Sequence, residues 1–301
     1  MKPVLVVGSS NTDMVVTVGD LPRPGETVLG NEFKIFAGGK GANQAVAARR
    51  AGADVNFLTA VGNDDFGKNA VAALANEGID ISNVHKVDDI ASGVAMIFVS
   101  DAGENCIGVA PGANSKLSVE ILRNNEAEFA AASVVLAQLE TPIETIVAAA
   151  ELSATHGAKF ILNPAPAAEI PKQIYANLFC ITPNQSEAEL LTGVTIADKA
   201  SAEKAAQVLL NRGADNVVIT MGSQGALLSN AAGTFFEAAG SVTVVDTTGA
   251  GDTFNGFFTA MIASGKSLQD ALATAVFAAS QSVQVAGAIP SIPYLNSGEL
   301  P

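Results

Sequence analysis

The sequence predicts an α/β fold: a three-layer α/β/α core around a mostly parallel sheet, with a small β-sheet lid. Two observations carry this. Short, almost wholly apolar runs alternate along the chain with stretches of helical apolar spacing. Strands of that kind are buried on both faces, as in a parallel sheet covered by helices. Two other segments are strand-like but stand outside the alternation, and together they can form a separate sheet.

Taken in order, VLVVG at 4–8 reads as the first strand. A helical stretch at 41–52 and the run NFLTAVG at 56–62 follow. SVVLAQ (133–138), AKFILNP (158–164), LFCITP (178–183) and NVVIT (216–220) continue the set. Ser186-Glu-Ala-Glu189 has capping-box spacing and opens a helix expected to end near Gly193. SAEKAAQVLLNRG (201–213) carries an apolar stripe and an Arg-Gly stop. The two irregular segments are 12–36, with proline-rich turns between strand-like pieces, and 93–112, a hairpin around Asp101-Ala-Gly-Glu104. Their apolar content (Val15, Val16, Ile97, Phe98, Ile107, Val109) favours a sheet that covers something. With no tandem repeat or low-complexity linker, residues 1–301 read as a single domain with the lid segments inserted.

Of 301 residues, 49% are apolar and 15% charged, the balance of a globular chain. The net charge of -14 argues against nucleic acid or an anionic membrane as partner. It leaves room for a phosphorylated ligand, because backbone amides and a few cations can hold phosphate inside an acidic protein. No apolar run is long enough to span a bilayer, and MKPVLVVGSS reads as a strand, not a signal peptide. Cys106 and Cys180 lack metal or redox spacing, so a cytoplasmic location is expected. His85 and His156 are too few for a histidine metal site and read as surface residues.

The stretch VDTTGAGDTFNG (245–256) sets a carboxylate directly after a glycine turn. It is neither a P-loop nor a dinucleotide fingerprint, since Phe254 stands where the latter needs its third glycine. The pairs Gly39-Lys40 and Gly265-Lys266 also fail the P-loop pattern, with Lys34 and Ala260 at its first glycine. Gly249, Ala250 and Gly251 can present successive N–H groups to an anion at a helix start. Asp252 at the rim can take a proton from a hydroxyl while the hole stabilises a phosphoryl group in flight. A first-turn aspartate also serves a helix dipole, and this stretch alone does not separate the two roles.

A second motif, FAGGKGAN (36–43), opens a helix near the start of the chain. With the late GAGD turn in the matching order, the whole chain resembles the ribokinase family of carbohydrate kinases. The resemblance implies ATP-dependent phosphorylation of D-ribose at its 5-hydroxyl, with Asp252 as general base and Gly249, Ala250 and Gly251 as the anion hole. It implies sugar contacts from Asn11 and Asp13 in GSSNTD (8–13), from Gly39, Lys40 and Asn43, and from Glu140 in AQLETP. On the nucleotide side it implies Asn184, Thr220, Gly222, Gly225 and Gly251, with Glu187 in the water shell of Mg²⁺. A monovalent cation, usually K⁺, is implied at Asp246, Thr248, Ser282, Val285, Gly287 and Ser291, mostly through backbone carbonyls. With Ser186 and Glu189 taken as the cap, Asn184 and Glu187 are expected to be free for these roles. Val276 stands where some members carry a polar residue near adenine, and Thr248 where some carry an aliphatic one. Lids of the family often pair, so a homodimer is expected. The alternatives are a sister kinase acting on 2-deoxyribose, fructose or adenosine, and a sugar- or nucleotide-binding protein without catalysis.

Overall fold

The computed structural model describes residues 3–295. Its strands are β1 (Val4–Val7), β2 (Asn11–Val18), β3 (Gly30–Gly38), β4 (Val55–Gly62), β5 (Val84–Val87), β6 (Gly93–Ser100), β7 (Asn105–Ala110), β8 (Val134–Ala137), β9 (Lys159–Leu162), β10 (Leu178–Ile181), β11 (Asn216–Thr220), β12 (Gly225–Asn230) and β13 (Gly233–Ala238). The helices are α1 (Lys40–Arg50), α2 (Asp65–Asn76), α3 (Val119–Asn124), α4 (Glu126–Ala131), α5 (Ile143–His156), α6 (Lys172–Tyr175), α7 (Gln185–Thr192), α8 (Lys199–Asn211), α9 (Ala250–Ala263), α10 (Leu268–Ser282) and α11 (Ala288–Ser291).

Nine strands form the main sheet in the order β13-β12-β11-β10-β9-β8-β1-β4-β5. The pairs from β11 across to β5 are parallel, and β12 and β13 add an antiparallel edge. Because successive side chains of a strand point to opposite faces, β1 feeds two cores. Val4 and Val6 join the apolar faces of α1, α9 and α10. Leu5 and Val7 join those of α5 and α8. The apolar strands expected from the sequence are therefore buried on both sides, each large side chain contributing roughly 1.5–3 kcal/mol by burial.

The two irregular segments pair as expected into a second sheet, β3-β2-β6-β7. The β2 and β6 strands run parallel there, with β3 and β7 antiparallel at the edges. This sheet rises from the core directly after β1, at Asn11, and again at Gly93.

Helix starts differ from the sequence reading at two places. The helix read from Ser201 begins at Lys199, because Asp198 accepts the Ser201 N–H at 2.8 Å and caps it. The capping box expected from Ser186 and Glu189 is formed by Asn184 and Glu187. Glu189 instead accepts the N–H of Ile196 at 2.6 Å, beyond the end of the helix. The stop at Gly193 is as expected, in the left-handed conformation.

Candidate active site

In an open parallel sheet, ligands gather outside the carboxyl ends of the strands, where the strand order reverses. That reversal lies between β1, which leads by way of the lid and α1 to β4, and β8, which leads through α5 to β9. Ser9 and Ser10 follow β1, Gln138 and Glu140 follow β8, Asn163 follows β9, Thr182 and Asn184 follow β10, and Thr220 ends β11. The N-termini of α1 and α9 are brought to this rim.

The α1 and α9 helices cross in close contact, and Gly256 permits it. A Cβ there would lie 2.3 Å from the Ala47 Cβ and 2.6 Å from the Gln44 carbonyl oxygen. One turn earlier, the crossing sets Asp252 against α1. The Asn43 Nδ2 donates to Asp252 Oδ2 at 2.9 Å, and the Gln44 Nε2 donates to Oδ1 at 2.9 Å. Burial pushes the Asp252 carboxyl above its ordinary value, while Lys40, Gln44 and Asn43 pull it down and Glu140 adds to the rise. The result is an ionisable acceptor, nearly buried, at the start of a helix.

The residues expected on the sugar side surround this carboxylate. Glu140 accepts from the Ser9 hydroxyl at 2.5 Å and from the Lys40 backbone N–H at 3.0 Å. Asn11 Oδ1 accepts from Asn114 Nδ2 at 2.7 Å, and Asn114 Oδ1 accepts the Ser10 N–H at 2.9 Å. Asp13, on the lid, is raised to about 6 by burial, with Glu140 and Asp252 adding to the rise and Lys40 opposing it. Burial would lower the Lys40 ammonium, but Asp252, Glu140, Glu187 and Asp13 together hold it above its ordinary value. One cation thus sits among four acids. Gly39 precedes α1 and is its N-cap.

Beyond α9 lies a cleft of about 540 Å³. Thr220, Gly222 and Gly225 line it at the β11–β12 turn, and Ala250 and Gly251 line it at the start of α9. Gly249 precedes the helix at φ 75° and no side chain caps it, so first-turn N–H groups are left for a ligand. Val276, expected near a base, lines the same cleft, and Val242, Val244 and Phe254 make the walls apolar.

Asn184 and Glu187 occupy each other. Asn184 Oδ1 accepts the Glu187 N–H at 2.9 Å, and Glu187 Oε2 accepts the Asn184 N–H at 2.8 Å. The sequence reading expected them to be free of capping; they form the cap themselves, which leaves the second Glu187 oxygen and the Asn184 Nδ2 for a further partner. Burial raises the Glu187 carboxyl; the Asn184 N–H and Lys40 oppose this.

Asp246 and Thr248 meet the loop of Ser282, Val285, Gly287 and Ser291. Asp246 accepts the N–H of Thr248 at 2.9 Å and that of Gly287 at 2.8 Å. The loop is also held from α1: the Arg50 Nη1 donates to the carbonyls of Ile289 and Ile292 at 2.8 and 2.6 Å. Arg50 is paired with Glu77 on its other edge.

Several residues at this rim escaped the sequence reading: Ser9, Asn114, Gln44, Gln138, Asn163, Thr182 and Asn255. A signal existed for three of them. Gln138 and Asn163 are amides placed directly after wholly apolar strands, and Gln44 is an amide inside an alanine-rich apolar helix.

The family model described as "pfkB family carbohydrate kinase" matches residues 1–295. The chain belongs to this family. A ribokinase of Haemophilus influenzae is 43% identical over 292 residues, covering 97% of this chain and 95% of the relative. A ribokinase of Mus musculus is 40% identical, covering 97% and 92%. A deoxyribokinase of Salmonella typhi is 37% identical, covering 97% and 96%. Among solved structures, that of Arabidopsis thaliana ribokinase complexed with ribose and ATP superposes with a TM-score of 0.90 at 32% identity, covering 97% and 96%. This carbohydrate kinase therefore shares its fold with that ribokinase over nearly the whole chain.

Proposed function

We propose that this protein transfers the γ-phosphoryl group of ATP to the 5-hydroxyl of D-ribose, giving ADP and D-ribose 5-phosphate. One observation carries the reading: Asp252 stands where the apolar cleft behind α9 meets the polar cluster of Asn11, Asp13, Lys40, Asn43 and Glu140. A hydroxyl on the polar side and a phosphate on the cleft side would meet at Asp252 and the start of α9. The base, the anion hole and the substrate alignment needed for phosphoryl transfer would lie within one helical turn. The relatives named ribokinase, and the neighbour complexed with ribose and ATP, support the sugar and the nucleotide.

Asp13, Asn11, Gly39, Lys40, Asn43 and Glu140 would read the sugar hydroxyls, with Asn184, Thr220, Gly222, Gly225 and Gly251 against the nucleotide. Among the described residues, no group of three or more His, Cys, Asp or Glu side chains is placed to chelate a metal. A single carboxylate, Glu187, at this rim would suit a Mg²⁺ that keeps most of its waters, with Glu187 in the outer shell and the phosphates as ligands. When bound, Mg²⁺ supplies charge neutralisation on the transferring phosphate. A K⁺ would be held at Asp246, whose two oxygens also accept the Thr248 and Gly287 N–H groups, with oxygens of the 282–291 loop as further ligands. The Ser282 and Ser291 hydroxyls donate to Ala279 and Ala288 carbonyls, leaving their oxygen lone pairs for a cation.

The lid leaves large apolar side chains in water on the face away from Asp13: Phe33 is 57%, Ile35 54% and Met96 47% exposed. A second copy of the lid would cover them, so we read the protein as a homodimer. Both cysteines are free, in keeping with the cytoplasmic location we assign.

The test is ADP release with Mg·ATP and K⁺ on ribose, 2-deoxyribose, fructose and adenosine. Ribose should lead. The second reading is a 2-deoxyribose kinase, favoured by the relative of that name; it takes the lead if 2-deoxyribose does. Sugar binding without turnover on any acceptor would sink both.

A further inference from the structure

The Asp252 carboxylate is the end point of a buried chain of amides. Gln138 Nε2 donates to Gln44 Oε1 at 2.7 Å. Gln44 Nε2 donates both to Asp252 Oδ1 and to Asn163 Oδ1, each at 2.9 Å. Asn163 Nδ2 donates to the Thr182 backbone carbonyl at 3.1 Å. Gln44, Gln138, Asn163 and Thr182 are all buried. Burying so many amides is unfavourable unless they are paired; here Gln138 Oε1 is buried without a partner among the described residues, the Gln44 and Asn163 amides are paired at both ends, and such a network specifies one arrangement.

The polarity of this chain is set at its far end. A backbone carbonyl can only accept, so the Asn163 amide must turn its Nδ2 toward Thr182 and its Oδ1 toward Gln44. Gln44 must then turn its Nε2 inward, and its Oε1 meets the Gln138 donor. Asp252 Oδ1 faces an N–H and must itself be an acceptor. It can hold that bond only while it carries no proton on that side. Oδ2 is different. It accepts from Asn43, whose own Oδ1 is buried without a hydrogen-bond partner among the described residues. That oxygen, beside Oδ2, is free to accept from an incoming hydroxyl.

We propose that Gln44 is the positioning residue for Asp252, tying Oδ1 to the buried amide chain so that Oδ2 alone receives the proton of the sugar hydroxyl. The inference rests on the kinase reading above. In the step, the proton of the 5-hydroxyl passes to Oδ2 and the hydroxyl oxygen bonds to the γ-phosphorus. The bond from that phosphorus to the bridging oxygen breaks, its electron pair leaving with ADP. The charged groups facing Asp252 are Lys40 of α1, Asp13 of β2, Glu140 after β8 and Glu187 of α7. None of them touches Oδ1, which belongs to Gln44.

The experiment is the pH profile of kcat, with the ribose KM, for the parent, Gln44→Leu and Gln44→Glu. Gln44→Leu removes a donor to the ionised carboxylate. Its kcat should fall about 10- to 100-fold with KM little changed, and its acid limb should move to higher pH. In Gln44→Glu the new carboxyl, beside Asp252, stays protonated near neutrality and can still donate. That variant should keep much of its kcat near neutral pH and lose it as pH rises. Asn163→Leu, one link further along the chain, should shift the acid limb in the same direction as Gln44→Leu by less, and serves if either Gln44 variant does not fold. Folded variants with the parent's kcat and pH profile overturn the proposal. So does a fall in kcat that is the same at every pH, which marks a merely structural role. A parent that phosphorylates no sugar would instead be a failure of the kinase reading.

Discussion

The Gly287 N–H donates to Asp246 Oδ2 at 2.8 Å, joining two loops 41 residues apart in the chain. Through its other oxygen, Asp246 holds the Thr248 N–H, just before the Gly249 turn. One carboxylate thus fixes where the start of α9 stands relative to the 282–291 loop.

Asp246→Ala should loosen that turn. We expect a several-fold higher KM for ATP, a lower kcat, and a loss of about 1 kcal/mol in stability from the removed charged hydrogen bonds. Steady-state kinetics and urea unfolding check this. Burial opposes the charge, but the Gly287 and Thr248 bonds win and hold Asp246 below its ordinary value. The link is therefore intact at neutral pH and is lost only as pH falls through that lowered value. A variant with parental ATP kinetics would show that the turn stands without Asp246.

Asp252→Asn removes the proton acceptor and keeps the shape. The expected fall in kcat is about 10²- to 10⁴-fold. Ribose binding, read by calorimetry, should persist. The new amide N–H would meet the Asn43 N–H, so Asn43 must turn over or retreat. Retention of a tenth or more of the parent rate would remove Asp252 from the base role.

Gly256→Ala tests the helix crossing. The added methyl meets Ala47 and the Gln44 backbone, so α9 must move away from α1. Over-packing of this kind costs about 1–3 kcal/mol. It should also draw Asp252 from Asn43 and Gln44 and reduce kcat more than it raises the ribose KM. A variant that loses stability while keeping full kcat would separate the crossing from the site.

Asp13 gives opposite signs for stability and binding. Burial, with Glu140 and Asp252 nearby, raises its carboxyl from the ordinary 3.8 to about 6. The fold therefore disfavours its charge above pH 6, and this penalty is relieved as pH falls toward 3.8. Asp13→Asn should raise the stability of the sugar-free protein at pH 7, by on the order of 2–3 kcal/mol at most. Ribose affinity of the parent should fall as pH drops through 6, because a protonated Asp13 accepts fewer hydroxyl protons. Calorimetric titrations with ribose between pH 5 and pH 8 read the second effect; a flat profile would contradict it.

The two faces of the lid can be charged together. The register pairs Met14 with both Ile35 and Met96, so those three share a face, while Asp13, Ala95 and Val109 share the other with Ile107. The double variant Met96→Glu/Ile107→Glu, with one charge on each face, should sediment as a monomer where the parent is a dimer. A monomeric parent at assay concentration would end the homodimer reading.

Much of the fold was legible because burial writes itself into local pattern. Every parallel strand from Val4 to Thr220 that the sequence marked is a strand in the structure, within a few residues. The lid segments were recognisable because their turns and apolar content fit no βα unit. The helix cap at Asn184 was misread for a local reason: two acids at the right spacing, Glu187 and Glu189, compete for one role, and only the bond from Glu189 to Ile196 decides between them.

The GAGD turn, FAGGKGAN, and the acids and amides of the rim are local features, and the sequence shows a glycine turn with a carboxylate directly after it. Which oxygen of that carboxylate is anchored, and by what, depends on Gln44, Gln138, Asn163 and Thr182, brought together from one helix and the ends of three strands. Hydrogen-bond polarity travels along such a chain from one distant carbonyl. No spacing in the sequence encodes it, because each link crosses from one element to another and only the packed sheet brings the donors to their acceptors.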